Sequence, residues 1–456
     1  WISSLTDEAI TEGMANLLPC DRFDNLFLAA DSRNRADWLL GVNSSHAICK
    51  AVGFGNNSLG RVQTPVLAEI CRRYRERENH MPADSWPVFI SLCKNDRILK
   101  MRHVDDLVAR REALALYEDC KAAKNARITA VRKRTEEIGA PALYNLAELQ
   151  KDANRYHGLT AIQVQEIAQS LYEKRLISYP RTSSRLLPGD VYDTLPPVME
   201  KMLSRKEFRQ YAGMVDLAAP QDSIGAQDTM EHHAIIITGI QPGKLGREEM
   251  QVYTLIVGRV LETFMPPCKV EYTTVDAVCA ARKFRIRTYR ILEKGWLGIF
   301  EREHIVAKGC MPCPMLPEFF QEEILPVAGC SLIHKKSLPV SPYTDEELVD
   351  YMDKAGLGTV STRTNILRTL LERKYIRYSG KYVVPTPKGL FLYETVRGMK
   401  VADASLTSGW ETELARIERG ELSQEEFLDG VLETVNEVTG EIFRNHPVEK
   451  RPQGTI

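Results

Sequence analysis

Strand-forming sequence falls in two widely separated blocks of this chain. An isolated strand or hairpin is marginal in water, so one sheet shared by the two blocks is the expectation. The first, over 83–139, holds "SWPVFISLCK" and "ARITAVRKRTEEI"; the second, over 266–340, holds "CKVEYTTVDAVCAARKFRIRTYRIL". Their alternating apolar residues suit half-buried strands. If the blocks form one sheet, the helical stretch 140–265 is an insertion into a β-rich domain. Residues 1–82 read as helical on one side and 341–456 as a third unit on the other. At 456 residues the chain has room for about two to four domains.

The helical parts carry capping signals. Thr6 is an N-cap candidate in "SSLTDEAITEGMANL", and "NLFLAADSRNRADWLLGVNSSHAIC" reads as a long amphipathic helix with Arg33 and Asp37 one turn apart on one face. In "GNNSLGRVQTPVLAEICRRYRERE", Thr64 suits an N-cap and Pro65 the first helical position. Arg61 and Gln63 then sit just before a helix N-terminus, where anions are favoured. "GLTAIQVQEIAQSLYEKRLISYPRT" opens on a Thr160–Gln163 capping box and places Gln169 and Glu173 on one face. From 341, "YTDEELVDYMDKAGLG", "TRTNILRTLLERKY" and "IRYSGKYVVPT" follow the order helix, turn, helix, hairpin, with the turn at Ser379-Gly380. That winged-helix-like order is typical of nucleic-acid binding, and Arg363, Arg368, Arg373, Lys374, Arg377 and Lys381 surround one acid, Glu372.

Bulk properties exclude several classes. The formal net charge of -1 offers no global basic field, so a nucleic-acid partner has to be held by local patches. No apolar run is long enough to span a membrane, and "WISSLTDEAI" is not a secretory signal. It also lacks an initiator Met, which suggests an internal cut in a longer chain. The 10 cysteines are scattered, as in reduced cytosolic proteins. Cys310, Cys313, Cys330 and His334 have a spacing compatible with a Cys3His zinc site. Loose zinc patterns often match by chance, and a loop CxxC beside a strand accounts for the residues, so no metal ligand is assigned.

The stretch "EKRLISYPRTSSRLLP" carries the chemistry. Pro180 biases Tyr179 to an extended backbone, which sends Tyr179 and Arg181 to the same face. A phenol titrates near about 10 and attacks a phosphodiester only if its proton is drawn off and the phosphate charge is neutralised. Arg181 suits the second task, and Glu173 or a metal-bound group the first. A tyrosine bonded to backbone before a proline turn is the structural alternative.

Read together and in order, "RNRADWLLGVN", "SLGRVQTPVLAEI", "QSLYEKRLISYPRTSS", "HHAIIIT", "GLGTVSTRTNILRTLLERKYI" and "VVPTPKGLFLYETV" resemble the type IA DNA topoisomerases, nearest the topoisomerase III branch. The resemblance implies a mixed α/β, mainly helical fold. It would be a toroidal body with winged-helix-like helical domains and one β-rich domain. A helical groove domain would comprise 1–82 and the winged-helix-like 341–456, a gate domain 83–139 and 266–340, and the catalytic tyrosine would lie in 140–265.

The resemblance also implies residue roles. Tyr179 would cut one strand and hold its 5′ phosphate as an ester, with Arg181, Glu173 and His232 in the same catalytic site. Arg33, Asp37, Arg61, Gln63, Gln169, Ser178, Thr182, Ser184 and Thr362 would line the single-strand path. The ester stores bond energy, so no ATP is required. Mg²⁺ would be bound mainly by an N-terminal TOPRIM domain of the same natural chain. Nothing here resembles its Asp-x-Asp-x-Glu motif, so this chain is expected not to relax supercoiled DNA alone. Single-stranded DNA, and duplex DNA passing through the hole, would be the partners. The expected setting is the cytoplasm, on a bacterial nucleoid or plasmid, with no membrane partner. Two positions depart from the family: Ser183 stands where Asp is usual and Ile237 where Pro is usual. A tyrosine recombinase or relaxase would need its Arg and His residues in a different order. The competing reading is a non-catalytic single-stranded-DNA-binding protein with a winged-helix-like module.

Overall fold

In the computed structural model, residues 5, 7–53, 56–206, 208–216, 232–360 and 362–446 are described. Thr6 lies outside them. The first helices are α1 (Asp7–Ala15), α2 (Asp24–Val52) and α3 (Gln63–Glu78). Along α2 the buried positions Ala29, Ser32, Ala36, Leu40, Ser44, Ala47 and Ile48 recur every three or four residues and are mostly small. Small side chains let neighbouring helices approach closely.

Strands β1 (Asp84–Ser85), β2 (Val88–Lys94) and β3 (Arg97–His103), helix α4 (Arg110–Ala122) and strand β4 (Asn125–Ile138) follow. The chain then runs through α5 (Leu146–His157), α6 (Ala161–Glu173), α7 (Gly189–Asp193), α8 (Leu195–Leu203) and α9 (Arg247–Thr263). It returns to sheet with β5 (Cys268–Cys279) and β6 (Arg282–Glu293), the short α10 (Leu297–Phe300) and α11 (Glu303–Ala307), then β7 (Met311–Pro312), β8 (Ile324–Leu332) and β9 (Lys335–Lys336). The two strand-rich blocks do form one sheet, ordered β3-β2-β8-β4-β5-β6-β7. The helical segment leaves β4 at Ile138 and re-enters at Cys268, and these two residues are paired partners in the antiparallel ladder. A segment whose ends lie side by side can be inserted without disturbing the sheet.

The last part holds β10 (Tyr343–Thr344), α12 (Asp345–Lys354), α13 (Arg363–Glu372), β11 (Ile376–Ser379), β12 (Tyr382–Pro385), α14 (Pro387–Val396), α15 (Ala404–Glu418) and α16 (Gln424–Asn445). β10 adds to the β11–β12 hairpin as a third strand, which gives the winged-helix-like arrangement. The hairpin turns at Gly380-Lys381, one residue later than the sequence suggested, because Ser379 pairs with Tyr382 and Gly380 takes φ +60°. Helices α15 and α16 pack back on α2.

The helical insertion is fastened by a buried polar network. Asp152 on α5 accepts from Arg259 of α9 at 2.7 Å and also pairs with Arg302, which lies between α10 and α11. Glu262 takes Arg259 at 3.1 Å and Arg302 at 3.1 Å. Tyr144 accepts from Arg302 at 3.0 Å and donates to Asp152. Each guanidinium therefore meets two carboxylates, the condition under which buried charge is tolerated.

Burial lifts Glu262 from the usual 4.5 to about 7, against the opposing pull of Arg302 and Arg259. The folded chain then holds a proton that the unfolded chain has released. The stability this group contributes is full below pH 4.5 and is lost as pH rises through about 7. Thermal melting should show a smaller fall between pH 5 and pH 8 in Glu262→Gln than in the unmodified chain. Parallel curves for the two would refute the assignment.

Candidate nucleic-acid site

Helix α6 ends in a turn that aims the tyrosine segment. Arg175 adopts φ +61°. Its N–H bonds Tyr172 O at 2.8 Å while Leu176 N–H bonds Leu171 O at 3.0 Å. This pair of bonds is the Schellman closure, here with an arginine at the position glycine usually takes. The chain then runs irregularly through Tyr179 and is held against the 232–238 segment.

Ser178 is the fastener between the two. It is 1% exposed. Its hydroxyl donates to Ala234 O at 3.1 Å and accepts from Ile236 N–H at 2.9 Å. Its own N–H donates to Ile236 O at 2.9 Å. Thr182 is buried as well, and donates to His232 O at 2.8 Å while accepting from Ser184 N–H at 3.0 Å. Ser178 and Thr182, expected along the DNA path, therefore spend their hydroxyls on the protein. Beyond them, Asn145 caps α5 and donates to Ser183 O at 3.0 Å, and Leu146 N–H donates to Thr182 O at 3.2 Å.

This scaffold puts Tyr179 against His232, with ring centres 4.4 Å apart, and edge-on to Tyr172 at 5.3 Å. Burial, with His233 beside it, lowers the His232 pKa, so its imidazole is neutral at pH 7 and can accept or relay a proton. Among the described residues the Tyr179 hydroxyl makes no hydrogen bond, and the Arg181 guanidinium has neither an ion pair nor a hydrogen bond. The Arg181 Nε is buried with its hydrogen unused. A buried, unsatisfied cationic donor is costly, and an anion at this point would satisfy it. Glu173 is exposed and accepts from Gln169 Nε2 at 2.9 Å.

The two departures fall at tolerant places. Ser183 is exposed. Ile237 is buried and bridged to Ile177, but its own N–H is not a donor in that bridge; the bonds run through Ser178, Ile236 and Thr238. Proline's missing N–H would therefore cost that bridge no bond.

Arg33, Asp37, Arg61, Gln63 and Thr362, expected from three distant stretches, line one cleft of about 760 Å³. Arg33 and Asp37 share a face but do not pair with each other. Arg61, 5% exposed, binds Asp37 at 2.7 Å and Glu411 at 2.8 Å, and Arg33 binds the other Glu411 oxygen at 2.6 Å. Burial pushes Glu411 up, but Arg33 and Arg61 outweigh it and leave the carboxyl below its usual range. Arg373 reaches the same cleft, donating to Ser58 Oγ at 2.6 Å and Gln63 Oε1 at 2.6 Å. Helix α3 starts at Gln63 rather than after Thr64, because Thr64 Oγ1 accepts from Gly60 N–H at 2.9 Å and closes the preceding loop.

Glu411 was not foreseen. It flanks the buried stripe Thr407, Trp410, Leu414 of α15, but nothing in that helix separates it from its other acids. The expected arginine cluster of the winged-helix-like part is also partly spent internally: Arg363 binds Asp353 at 2.7 Å and Arg368 binds Glu166 at 2.5 Å.

The cysteine pattern does not gather into a cluster. His334 stacks on Trp86 at 4.1 Å and meets Asp84 at 2.7 Å. Cys330 lies with Cys120 and Cys279 in the core under α4. Among the described residues no three His, Cys, Asp or Glu side chains are placed to hold a metal. Mg²⁺ takes oxygen ligands, and the described residues gather no carboxylate cluster that fits it. None of the described helices is long and apolar enough to cross a membrane.

Guanidinium groups of Arg33, Arg61 and Arg373 around one cleft, between α2, the loop before α3 and the winged-helix-like unit, mark the class of proteins that hold phosphate-bearing chains. More particularly, the chain belongs to the type IA DNA topoisomerase family: the family model described as DNA topoisomerase matches residues 21–429. It is 29% identical to DNA topoisomerase 3 of Bacillus licheniformis over 97% of this chain and 64% of that protein. It is also 29% identical to DNA topoisomerase 1 of Methanocaldococcus jannaschii over 94% of this chain and 55% of that protein. The chain thus spans under two thirds of the length of these relatives. Full-length topoisomerase I from Thermotoga maritima shares the fold, with a TM-score of 0.77 at 20% identity over 97% of this chain and 72% of that one.

Ser178→Ala should strand the buried Ile236 N–H, at a cost of about 1–3 kcal/mol. Urea unfolding should report that loss. The contact of Tyr179 with His232 should loosen too, seen as broadened or shifted His232 imidazole resonances. An unchanged unfolding midpoint with unchanged His232 resonances would show that the fastener is dispensable.

Proposed function

We propose that this chain carries the nucleophile of a type IA topoisomerase of the topoisomerase III kind. In this reading it breaks one DNA strand transiently, lets another strand pass and reseals the first without ATP. The Tyr179 oxygen attacks a phosphodiester phosphorus in single-stranded DNA. The bond to the 3′ oxygen breaks, the phenol proton leaves through His232 or Glu173, and the 3′ oxygen takes up a proton. The 5′ phosphate stays on Tyr179 as an ester. Resealing is the reverse: the 3′ hydroxyl attacks the ester and the phenol departs. Each direction exchanges one phosphodiester for another, so no external energy source enters.

The observation that supports this reading is the unsatisfied Arg181 Nε two residues from a phenol that makes no hydrogen bond among the described residues. A phosphate bound there would supply the missing acceptor, and charge-assisted bonding would strengthen as charge builds on its oxygens. The cleft around Arg33, Arg61, Gln63 and Thr362 supports binding of the same strand. Mg²⁺ and its carboxylates are proposed to come from a TOPRIM domain, which the resemblance implies.

The test is a detergent-stopped reaction of labelled single-stranded DNA with the chain and Mg²⁺, run alone and with the part of the Bacillus licheniformis relative that this chain does not span added. A covalent protein–DNA adduct should form with the addition and vanish in Tyr179→Phe. In Arg181→Ala it should fall roughly 10²- to 10³-fold, with strand affinity much less affected. An adduct that survives Tyr179→Phe would reject the nucleophile. Strand binding with no adduct under either condition would favour the non-catalytic reading.

A further inference from the structure

We propose that the outer face of the seven-stranded sheet is a second site for the phosphodiester backbone of a nucleic-acid strand, apart from the cleft. The proposal rests on the nucleic-acid reading above. A notch of about 380 Å³ opens on this face, and no acidic residue lines it. Arg132 and Arg134 on β4 and Arg285 and Arg287 on β6 line it, with Lys308 at its rim. Residues two apart on a strand share a face and stand about 6.7 Å apart. The register carries the charge across the sheet: Arg132 is opposite Thr274 on β5, and Thr274 is opposite Arg287 on β6.

Two acids near the notch hold the cations without cancelling them. Asp276 meets Arg132 and takes Arg285 at 2.5 Å, while Glu136 takes Arg134 at 2.7 Å and Lys308 at 2.5 Å. Five cations against these two carboxylates leave three positive charges. Arg287 is exposed and makes no ion pair or hydrogen bond among the described residues. In a chain of net charge -1 this is a concentrated surplus of the kind that marks a polyanion site.

The chemistry points to backbone rather than bases. The aromatic ring in the notch, Tyr272, has Arg134 5.6 Å and Lys308 5.4 Å from its centre, and its hydroxyl donates to Val306 O at 2.6 Å. It offers no open face for base stacking, and Thr274 is the remaining uncharged polar group. Contacts through guanidinium forks to phosphate are sequence-tolerant and salt-dependent. The sheet and the cleft belong to different hydrophobic cores, so the two surfaces are physically distinct.

The experiment is fluorescence anisotropy with oligothymidine of about 8 nucleotides, the scale of one single-strand site, and with a strand several times longer, each over a salt series. The double variant Arg134→Ala/Arg287→Ala should bind the long strand about 10-fold more weakly and lower its log–log salt slope by about 1.4, two contacts at about 0.7 each. Binding of the short strand should not change. Arg111→Ala/Arg416→Ala removes the same charge from exposed sites elsewhere and should leave both strands unaffected; thermal melting checks the fold of both variants. Unchanged long-strand affinity and slope, or equal weakening of both lengths, would overturn the proposal. If the unmodified chain bound neither strand, the nucleic-acid reading itself would fall first.

Discussion

The placement of Tyr179 depends on a seam of hydrogen bonds between two segments that are neither helix nor sheet. The Ser178 hydroxyl works in both directions across it, giving to Ala234 O and receiving from Ile236 N–H. Thr182 fixes the far end to His232 O. Ser178 and Thr182 are spent on this seam, while among the described residues the half-buried Tyr179 hydroxyl makes no hydrogen bond and the Arg181 Nε has no acceptor. A rigid carrier with unpaired functional groups is what a site for a charged, transient ligand needs. The seam holds the tyrosine loop without left-handed backbone at Tyr179 itself. Its single left-handed residue, Arg175, lies at the end of α6 and not at the tyrosine.

Buried charge does a related task at two other places. Arg61 is sunk between Asp37 and Glu411, and Arg302 between Asp152 and Glu262. Such networks contribute little net stability compared with apolar packing, but breaking one partner is expensive. They tie distant parts of the chain together: α2 and the loop before α3 to α15, and the α10–α11 connection to α5 and α9. The cleft is therefore built from residues hundreds of positions apart, with its charge fixed before any ligand arrives.

Much of this was legible in the sequence, for reasons that differ by element. Strand blocks declare themselves by alternation, which suggested one shared sheet, but the register that sets Ile138 opposite Cys268 comes from the structure. The capping box at Thr160 is local and legible directly from sequence. The cleft residues came from resemblance, and the fold gathers them. Partners were harder. Arg33 and Asp37 are one turn apart and look paired, yet each is claimed by a residue no local pattern could reveal. Glu411 was invisible because its importance lies in which helix packs on which. Ser178 and Thr182 look like ligand-binding hydroxyls beside a reactive tyrosine; only the fold shows that backbone groups of the 232–238 segment use them. The Thr64 cap failed similarly, since a hydroxyl can cap the loop before a helix as readily as the helix.

The proposed chemistry turns on where DNA becomes attached. The direct measurement is mass spectrometry of peptides from a trapped protein–DNA adduct, together with the chemistry of the released end. Attack by Tyr179 would leave a nucleotide linked through its 5′ phosphate to the peptide containing Tyr179, and a released fragment with a free 3′ hydroxyl that a polymerase can extend. Attachment to any other residue, or a linkage through a 3′ phosphate, would contradict it.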